Sequence, residues 1–173
     1  MMPGMPDKSS GRPSDPAVRA WVRLELAHRA ALDSVEARLS KAGLPPLAWY
    51  DVLLELERVG KAGLRSFQLQ AAMLFQQYNL SRLVDRMAAA GHVAKAPSPE
   101  DGRGLVLTIT ASGRALRRRM WPVYASAIED AVGRHFSDAE ARTLGQLLGK
   151  IYDATGRSGR AKPSSRGEDG DCS

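Results

Sequence analysis

The hydrophobic pattern in the middle of the chain predicts a helix followed by two strands. Apolar side chains recur there three and four positions apart, which is the spacing of one face of an α-helix. They are Leu80, Leu83, Val84 and Met87. Gly91 is expected to end this helix. A short apolar segment, a turn rich in Pro, Gly and charge at 97–104, and an alternating strand at 105–110 follow. The order helix, strand, turn, strand is that of a winged helix.

Five further helices are predicted around this segment. They span about 15–41, 47–59, 66–74, 110–132 and 137–154. Asp15 is expected to cap the first helix, with Pro16 at its first helical position, and Ser137 with Glu140 forms a capping box for the last helix. Ser66 is expected to cap the short helix at 66–74, which is expected to turn Phe67, Leu69 and Met73 inward. We therefore predict a mainly α fold with a small β-wing.

The predicted helices fall into two groups with different tasks. Residues 45–112 are expected to form a winged-helix DNA-binding unit, and 16–43 together with 113–154 to form dimerisation helices. The second group carries more apolar surface than one small core can cover, so a homodimer is expected. Residues 1–15 and 155–173 are rich in Gly, Pro, Ser and charge, and we expect a flexible arm and a disordered tail.

Charge along the chain favours a polyanionic partner. The formal net charge is +6, and residues 76–119 hold eight Lys and Arg against three Asp and Glu. A basic excess beside a winged helix is the footprint of a nucleic-acid-binding protein, although a solvated basic face has the same composition. The basic segment coincides with the predicted recognition helix and wing, which favours double-stranded DNA.

Several other classes of protein are disfavoured. Cys172 is the single cysteine, and His28, His92 and His135 are scattered, so neither a disulfide framework nor a metal site is expected. No cofactor motif, nucleophile–base pair or carboxylate cluster indicates an enzyme. No apolar run is long enough for a signal peptide or a membrane span. We expect a cytoplasmic, non-enzymatic protein without metal or cofactor.

Polar side chains on and before the predicted recognition helix are the candidate DNA contacts. Five are expected to face the major groove, where amide side chains suit adenine and Arg suits guanine: Gln76, Gln77, Tyr78, Asn79 and Arg82. Ser81 and Arg86 are expected to bind phosphates. At the wing tip, Arg103 is expected to enter the minor groove with Asp101 supporting the loop, although the two together also suit an ordinary charged turn.

These segments resemble the MarR family of bacterial winged-helix regulators. The resemblance lies in SRLVDRM at 81–87, GHV at 91–93, SPEDGR at 98–103 and ITASG at 109–113. It implies a homodimer that binds a pseudo-palindromic operator, usually as a repressor, and often releases it when a small molecule binds. The sequence LFQQY at 74–78 departs from the small and Ser-rich residues common there, and the first helix lacks the cysteine of thiol-sensing members.

The resemblance also implies a cleft for small, often anionic aromatic ligands between the dimer helices and the winged helix. Trp21, His28 and Trp49 are the candidate ligand-binding residues on this basis. Aromatic residues at helical spacing are more often packing residues than ligand sites. The alternative to a ligand-released repressor is therefore a constitutive winged-helix DNA-binding or architectural protein that binds no effector.

Overall fold

The structure, a computed structural model, describes residues 11–73, 79–98 and 104–154. Its helices are α1 (Asp15–Lys41), α2 (Leu47–Val59), α3 (Ser66–Ala72), α4 (Leu80–Ala89), α5 (Ala111–Ala131) and α6 (Asp138–Ala154). Its strands are β1 (Leu64–Arg65), β2 (Val93–Pro97) and β3 (Leu105–Ile109), and two short 3₁₀ turns lie at Gly60–Ala62 and Gly133–His135. The predicted fold class, mainly α with a small β-wing, is confirmed.

The three strands form one antiparallel sheet in the order β1-β3-β2. Val93 pairs with Ile109 and Pro97 with Leu105, so β2 and β3 make the predicted hairpin. The sequence did not predict β1, because a strand of two residues is too short to show a period. β1 joins the start of α3 to the far edge of the wing.

The core lies where α2 meets the sheet, α3, α4 and α5. The predicted inner face of α4 is confirmed, because Leu80, Leu83, Val84 and Met87 are all buried. The same buried cluster includes Val35, Leu39, Val52, Leu53, Leu56, Leu69, Leu107, Leu116 and Met120. Residues from every helix except α6 join this cluster.

Three local predictions were wrong. Phe67 was expected inward and is 67% exposed, because α3 has only two turns and its inner face is filled by Leu69 and Met73. Ser66 does not cap α3; Arg65 holds the cap position, and its N–H donates to Gln68 Oε1 at 2.8 Å. Ser14 rather than Asp15 caps α1.

Two helices keep exposed apolar faces. In α1 only Val35 and Leu39 are buried, and Trp21 is 60% exposed. In α6 no residue is buried, and Leu147 and Ile151 are each about half exposed. A helix with an apolar stripe and no partner implies a further surface that covers it. No helix among the described residues could cross a membrane. The predicted arm and tail lie almost wholly outside the described residues, at 1–10 and 155–173.

The start of α2 depends on a carboxylate from α1. Pro46 at the cap position offers no capping side chain, and the Leu47 N–H donates to Glu36 Oε1 and Oε2 at 3.2 and 3.3 Å. Glu36→Ala should therefore lower the free energy of unfolding by about 1 kcal/mol, the usual effect of losing a helix cap. Urea denaturation would measure the loss, with Asp33→Ala as the control because Asp33 is exposed on the same helix. Equal effects of the two substitutions would show that Glu36 does not act as a cap.

Candidate nucleic-acid interface

The start of α4 is fixed by Asn79. Its side-chain Oδ1 accepts a hydrogen bond from the Arg82 N–H at 3.2 Å, as a helix cap does. The predicted contact of Asn79 with an adenine edge requires both the oxygen and the nitrogen of the amide. While the cap is in place, one lone pair of that oxygen is engaged, and the amide nitrogen is the part of the side chain that the cap leaves fully available to DNA.

The outer face of α4 is polar and open to solvent. Ser81, Arg82, Asp85 and Arg86 are exposed. An open surface depression runs along them, lined by Asn79, Arg82, Leu83, Asp85 and Arg86. Within the described chain, neither Arg82 nor Arg86 forms an ion pair. Being four residues apart, the two guanidinium groups lie on one side of the helix, where they can bind base edges or phosphates.

An ion pair connects this helix to the wing. Lys95 Nζ in β2 binds Asp85 Oδ1 in α4. This pair could not be predicted from the sequence, because no periodic signal relates a helix residue to a strand residue ten positions later. An exposed ion pair contributes little to stability, roughly 1 kcal/mol or less. Its consequence is geometric, because it sets β2 against the helix that carries Arg82.

The neck of the wing, which we define as Ser98 and Gly104, is closed by hydrogen bonds. The Ser98 N–H donates to the Gly104 carbonyl at 2.7 Å. The Arg65 side chain donates from Nη2 to Ser98 Oγ at 2.9 Å. The segment between the two neck residues, with the predicted contacts Asp101 and Arg103, lies outside the described residues. Gln76, Gln77 and Tyr78 also lie outside them.

The end of α4 is joined tightly to the start of α5. Thr110 Oγ1 donates to the Gly91 carbonyl at 2.8 Å, and the Thr110 N–H donates to the His92 carbonyl at 3.2 Å. Ser112 Oγ lies 2.9 Å from His92 Nδ1. These hydrogen bonds connect the end of α4 to the start of α5. A movement of α5 would therefore displace α4 as well.

The three predicted ligand-binding residues do not meet within one chain. Trp21 and His28 are exposed on the first half of α1, about 10 Å apart along the helix axis. Trp49 is half buried, and its ring packs edge-on against His92 with centroids 5.8 Å apart. Within the described residues, no ring contact links Trp49 to Trp21 or His28.

The structure gathers a different aromatic cluster between α2 and α5. The Tyr50 ring lies 6.1 Å from Trp121 and 5.2 Å from Tyr124. The Arg117 guanidinium lies 6.0 Å from the Tyr50 ring centre and pairs with Glu57. The sequence did not indicate this cluster, because its members come from two helices some seventy residues apart. It holds α5 against α2.

Part of this chain is similar in sequence to known proteins. Residues 42–104 match the model of the MarR family. The multiple antibiotic resistance protein MarR of Escherichia coli (strain K12) is 28% identical over 72 residues, which are 42% of this chain and 50% of that protein. The matched segment therefore spans half the length of this curated relative.

Solved structures share the fold along most of their length. Sco3205, a MarR family transcriptional regulator from Streptomyces coelicolor solved in complex with DNA, has a TM-score of 0.76 and 21% identity, covering 91% of this chain and 98% of that one. BpsR of Bordetella bronchiseptica, whose DNA binding is described as regulated by 6-hydroxynicotinic acid, has a TM-score of 0.70 and 22% identity, covering 82% and 99%. At such identities the likeness establishes the fold.

Proposed function

We propose that this chain, whose residues 42–104 belong to the MarR family, is a sequence-specific DNA-binding regulator of transcription. The observation that carries the proposal is the outer face of α4. Its two arginines, Arg82 and Arg86, are exposed and without ion-pair partners in the described chain, while the inner face of the same helix is anchored in the core. A structural neighbour with this fold was solved in complex with DNA. No enzymatic activity is part of the proposal.

In the proposed complex, different residues read and anchor the DNA. Arg82, in the first turn of α4, enters the major groove and pairs with guanine, and the amide nitrogen of Asn79 donates beside it. Ser81 and Arg86 bind phosphates. Gln76, Gln77 and Tyr78 at the groove, and Arg103 with Asp101 at the wing, complete the interface on the strength of the sequence alone.

We further propose that the protein acts as a homodimer on a pseudo-palindromic operator. The exposed apolar faces of α1 and α6 support this assembly, because the residues that the structure describes in one chain leave these faces uncovered. A two-fold dimer would present two copies of α4 to successive major grooves on one side of the duplex. A DNA target also implies a cytoplasmic location, which is part of the proposal.

The finer role that we propose is a repressor released by a small, anionic aromatic effector. A structural neighbour whose DNA binding is described as regulated by 6-hydroxynicotinic acid supports this role. Trp21, His28 and Trp49 would then need a second copy of the chain to form one site. Because they do not meet within the chain, constitutive DNA binding without an effector is the second candidate. A panel of aromatic acids separates the two, since a true effector raises the melting temperature and lowers DNA retention.

The reading role of α4 is tested by comparing two arginines of one helix. Arg82→Ala should lower affinity for the operator by about 1–3 kcal/mol and affinity for scrambled duplexes much less, because a base contact is lost. Arg86→Ala should weaken both duplexes alike and reduce the salt dependence by about one unit of slope, because a phosphate contact is lost. Titrations at several salt concentrations measure both quantities. If Arg82→Ala lowered both affinities equally, α4 would not be the reading helix.

A further inference from the structure

We propose that Arg65 is a positioning residue that holds the wing at a fixed angle to the reading helix. The proposal rests on the proposed DNA-binding function, because the wing and α4 must approach one duplex together. Arg65 occupies the one point in the described chain where β1, the start of α3 and the wing neck meet. Nothing in the sequence pattern alone points to a role for Arg65.

The Arg65 side chain crosses the sheet to reach the neck. Arg65 in β1 is paired with Val106 in β3, and Val106 is paired with Ala96 in β2. Because neighbouring strands lie about 4.8 Å apart, a side chain from β1 must pass over β3 to reach β2. Arg65 does so and donates from Nη2 to Ser98 Oγ, which is 2.9 Å away and belongs to the residue two positions beyond Ala96.

The accepting hydroxyl is buried. Ser98 is only 4% exposed, and a buried hydroxyl without a partner is costly. The Ser98 N–H also donates to the Gly104 carbonyl at 2.7 Å, which joins the two sides of the neck. The guanidinium of Arg65 therefore stabilises the residue at which the wing leaves the sheet.

The main chain of Arg65 is fixed to α3. Arg65 is the cap residue of α3, and its N–H donates to Gln68 Oε1 at 2.8 Å. One residue is thus bound to α3 through its backbone and to the wing through its side chain. Lys95 and Asp85 make the corresponding link between β2 and α4. Because these two links hold the wing in place, less conformational entropy is lost when the protein binds DNA. The affinity for DNA is higher for that reason.

A direct contact between Arg65 and a phosphate would predict different behaviour. Loss of a phosphate contact lowers the slope of affinity against salt by about one unit, whereas loss of a positioning contact lowers affinity without that change. Ser98 carries no charge, so Ser98→Ala separates the two explanations. If Arg65 acts through Ser98, the two substitutions should produce overlapping rather than additive defects.

The experiment uses the full chain with Arg65→Met, Ser98→Ala and the double variant. Arg119→Met is the matched control, because it removes one positive charge from an exposed site on α5. Amide hydrogen exchange in the free protein reports whether the neck is closed. Titration of random-sequence duplex DNA at several salt concentrations reports binding.

We expect Arg65→Met to accelerate exchange of the Ser98 amide about tenfold, as loss of a charged hydrogen bond would, with no change at the Val93 and Ile109 amides. DNA affinity should fall by about the same factor in Arg65→Met, Ser98→Ala and the double variant, and the slope of affinity against salt should not change. Arg119→Met should have little effect on affinity. Unchanged Ser98 exchange, or a lower slope in Arg65→Met beside normal binding by Ser98→Ala, would overturn the proposal. Failure of the unaltered protein to bind any duplex would instead refute the proposed function, while the exchange measurement would still decide the role of Arg65.

Discussion

Gly113→Ala is expected to lower the free energy of unfolding by roughly 3 kcal/mol or more. A β-carbon at Gly113 would overlap the carbonyl oxygen of His92 and lie 2.9 Å from Ile109 Cγ1 and 3.1 Å from Leu53 Cδ2. The His92 carbonyl already accepts the Thr110 N–H. The His92 carbonyl cannot move away without breaking this hydrogen bond, which connects the end of α4 to the start of α5.

A second helical glycine provides the control for Gly113. Gly145 in α6 is exposed, and a β-carbon added there would meet no other atom within 4 Å. Gly145→Ala should therefore leave stability unchanged or raise it by up to about 1 kcal/mol, the difference in helix propensity. Thermal and urea denaturation of both variants measure the contrast. A Gly113→Ala protein as stable as the unaltered chain would show that α5 does not approach His92 as described.

Deletion of residues 137–173 is expected to leave an unstable or aggregating chain. The deletion removes all of α6, whose Leu147, Leu148 and Ile151 are exposed in one chain and would be covered in the proposed dimer. It also uncovers the partner surface, for which α1 offers apolar residues that are 44–60% exposed: Val18, Trp21, Val22 and Leu26. Large exposed apolar patches of this kind drive association. Deletion of 157–173 alone should do little, because it leaves α6 intact.

A point substitution separates dimerisation from folding. Leu147 is 52% exposed in one chain, so Leu147→Glu should be tolerated by the monomer fold but should break an interface that buries it. Leu105→Glu is the matched control, because Leu105 is 49% exposed on the wing. Sedimentation equilibrium should show monomers for Leu147→Glu and dimers for Leu105→Glu. A folded, monodisperse monomer from the 137–173 deletion, or a stable Leu147→Glu dimer, would contradict the proposed interface.

Periodicity in the sequence was sufficient to place α4 and the hairpin of β2 and β3. The four apolar positions of α4 recur at helical spacing, and all are buried. The capping box of α6 was also predictable, since Ser137 and Glu140 are local; Glu140 Oε2 accepts from the Ser137 N–H at 2.9 Å. The hydrogen bonds from the Ser137 N–H and from the Ser137 hydroxyl lower the pKa of Glu140. The bonded carboxylate therefore supports the start of α6 above the ordinary pKa of a glutamate, and this support is lost as pH falls through the lowered value.

Contacts between distant elements could not be predicted from the sequence. Nothing periodic connects Arg65 to Ser98 or Asp85 to Lys95, because each pair joins residues whose proximity depends on how the elements pack. Which side chains near the end of a helix are exposed could not be predicted either. Phe67 is an example, since it was predicted to face inward and is exposed. The dual nature of Asn79, a polar side chain suited to DNA but used as a helix cap, emerged only from its geometry.

Selection of bound sequences from a random pool of duplex DNA tests the central claim most directly. A dimer that reads DNA through α4 should enrich one motif with two half-sites related by two-fold symmetry. Their centres should lie about 10 base pairs, or one turn, apart, or a multiple of that distance. Arg82→Ala should lose preference at a guanine within each half-site and keep the spacing. A pool that stays unenriched, while binding varies only with salt concentration, would contradict sequence-specific reading by this protein.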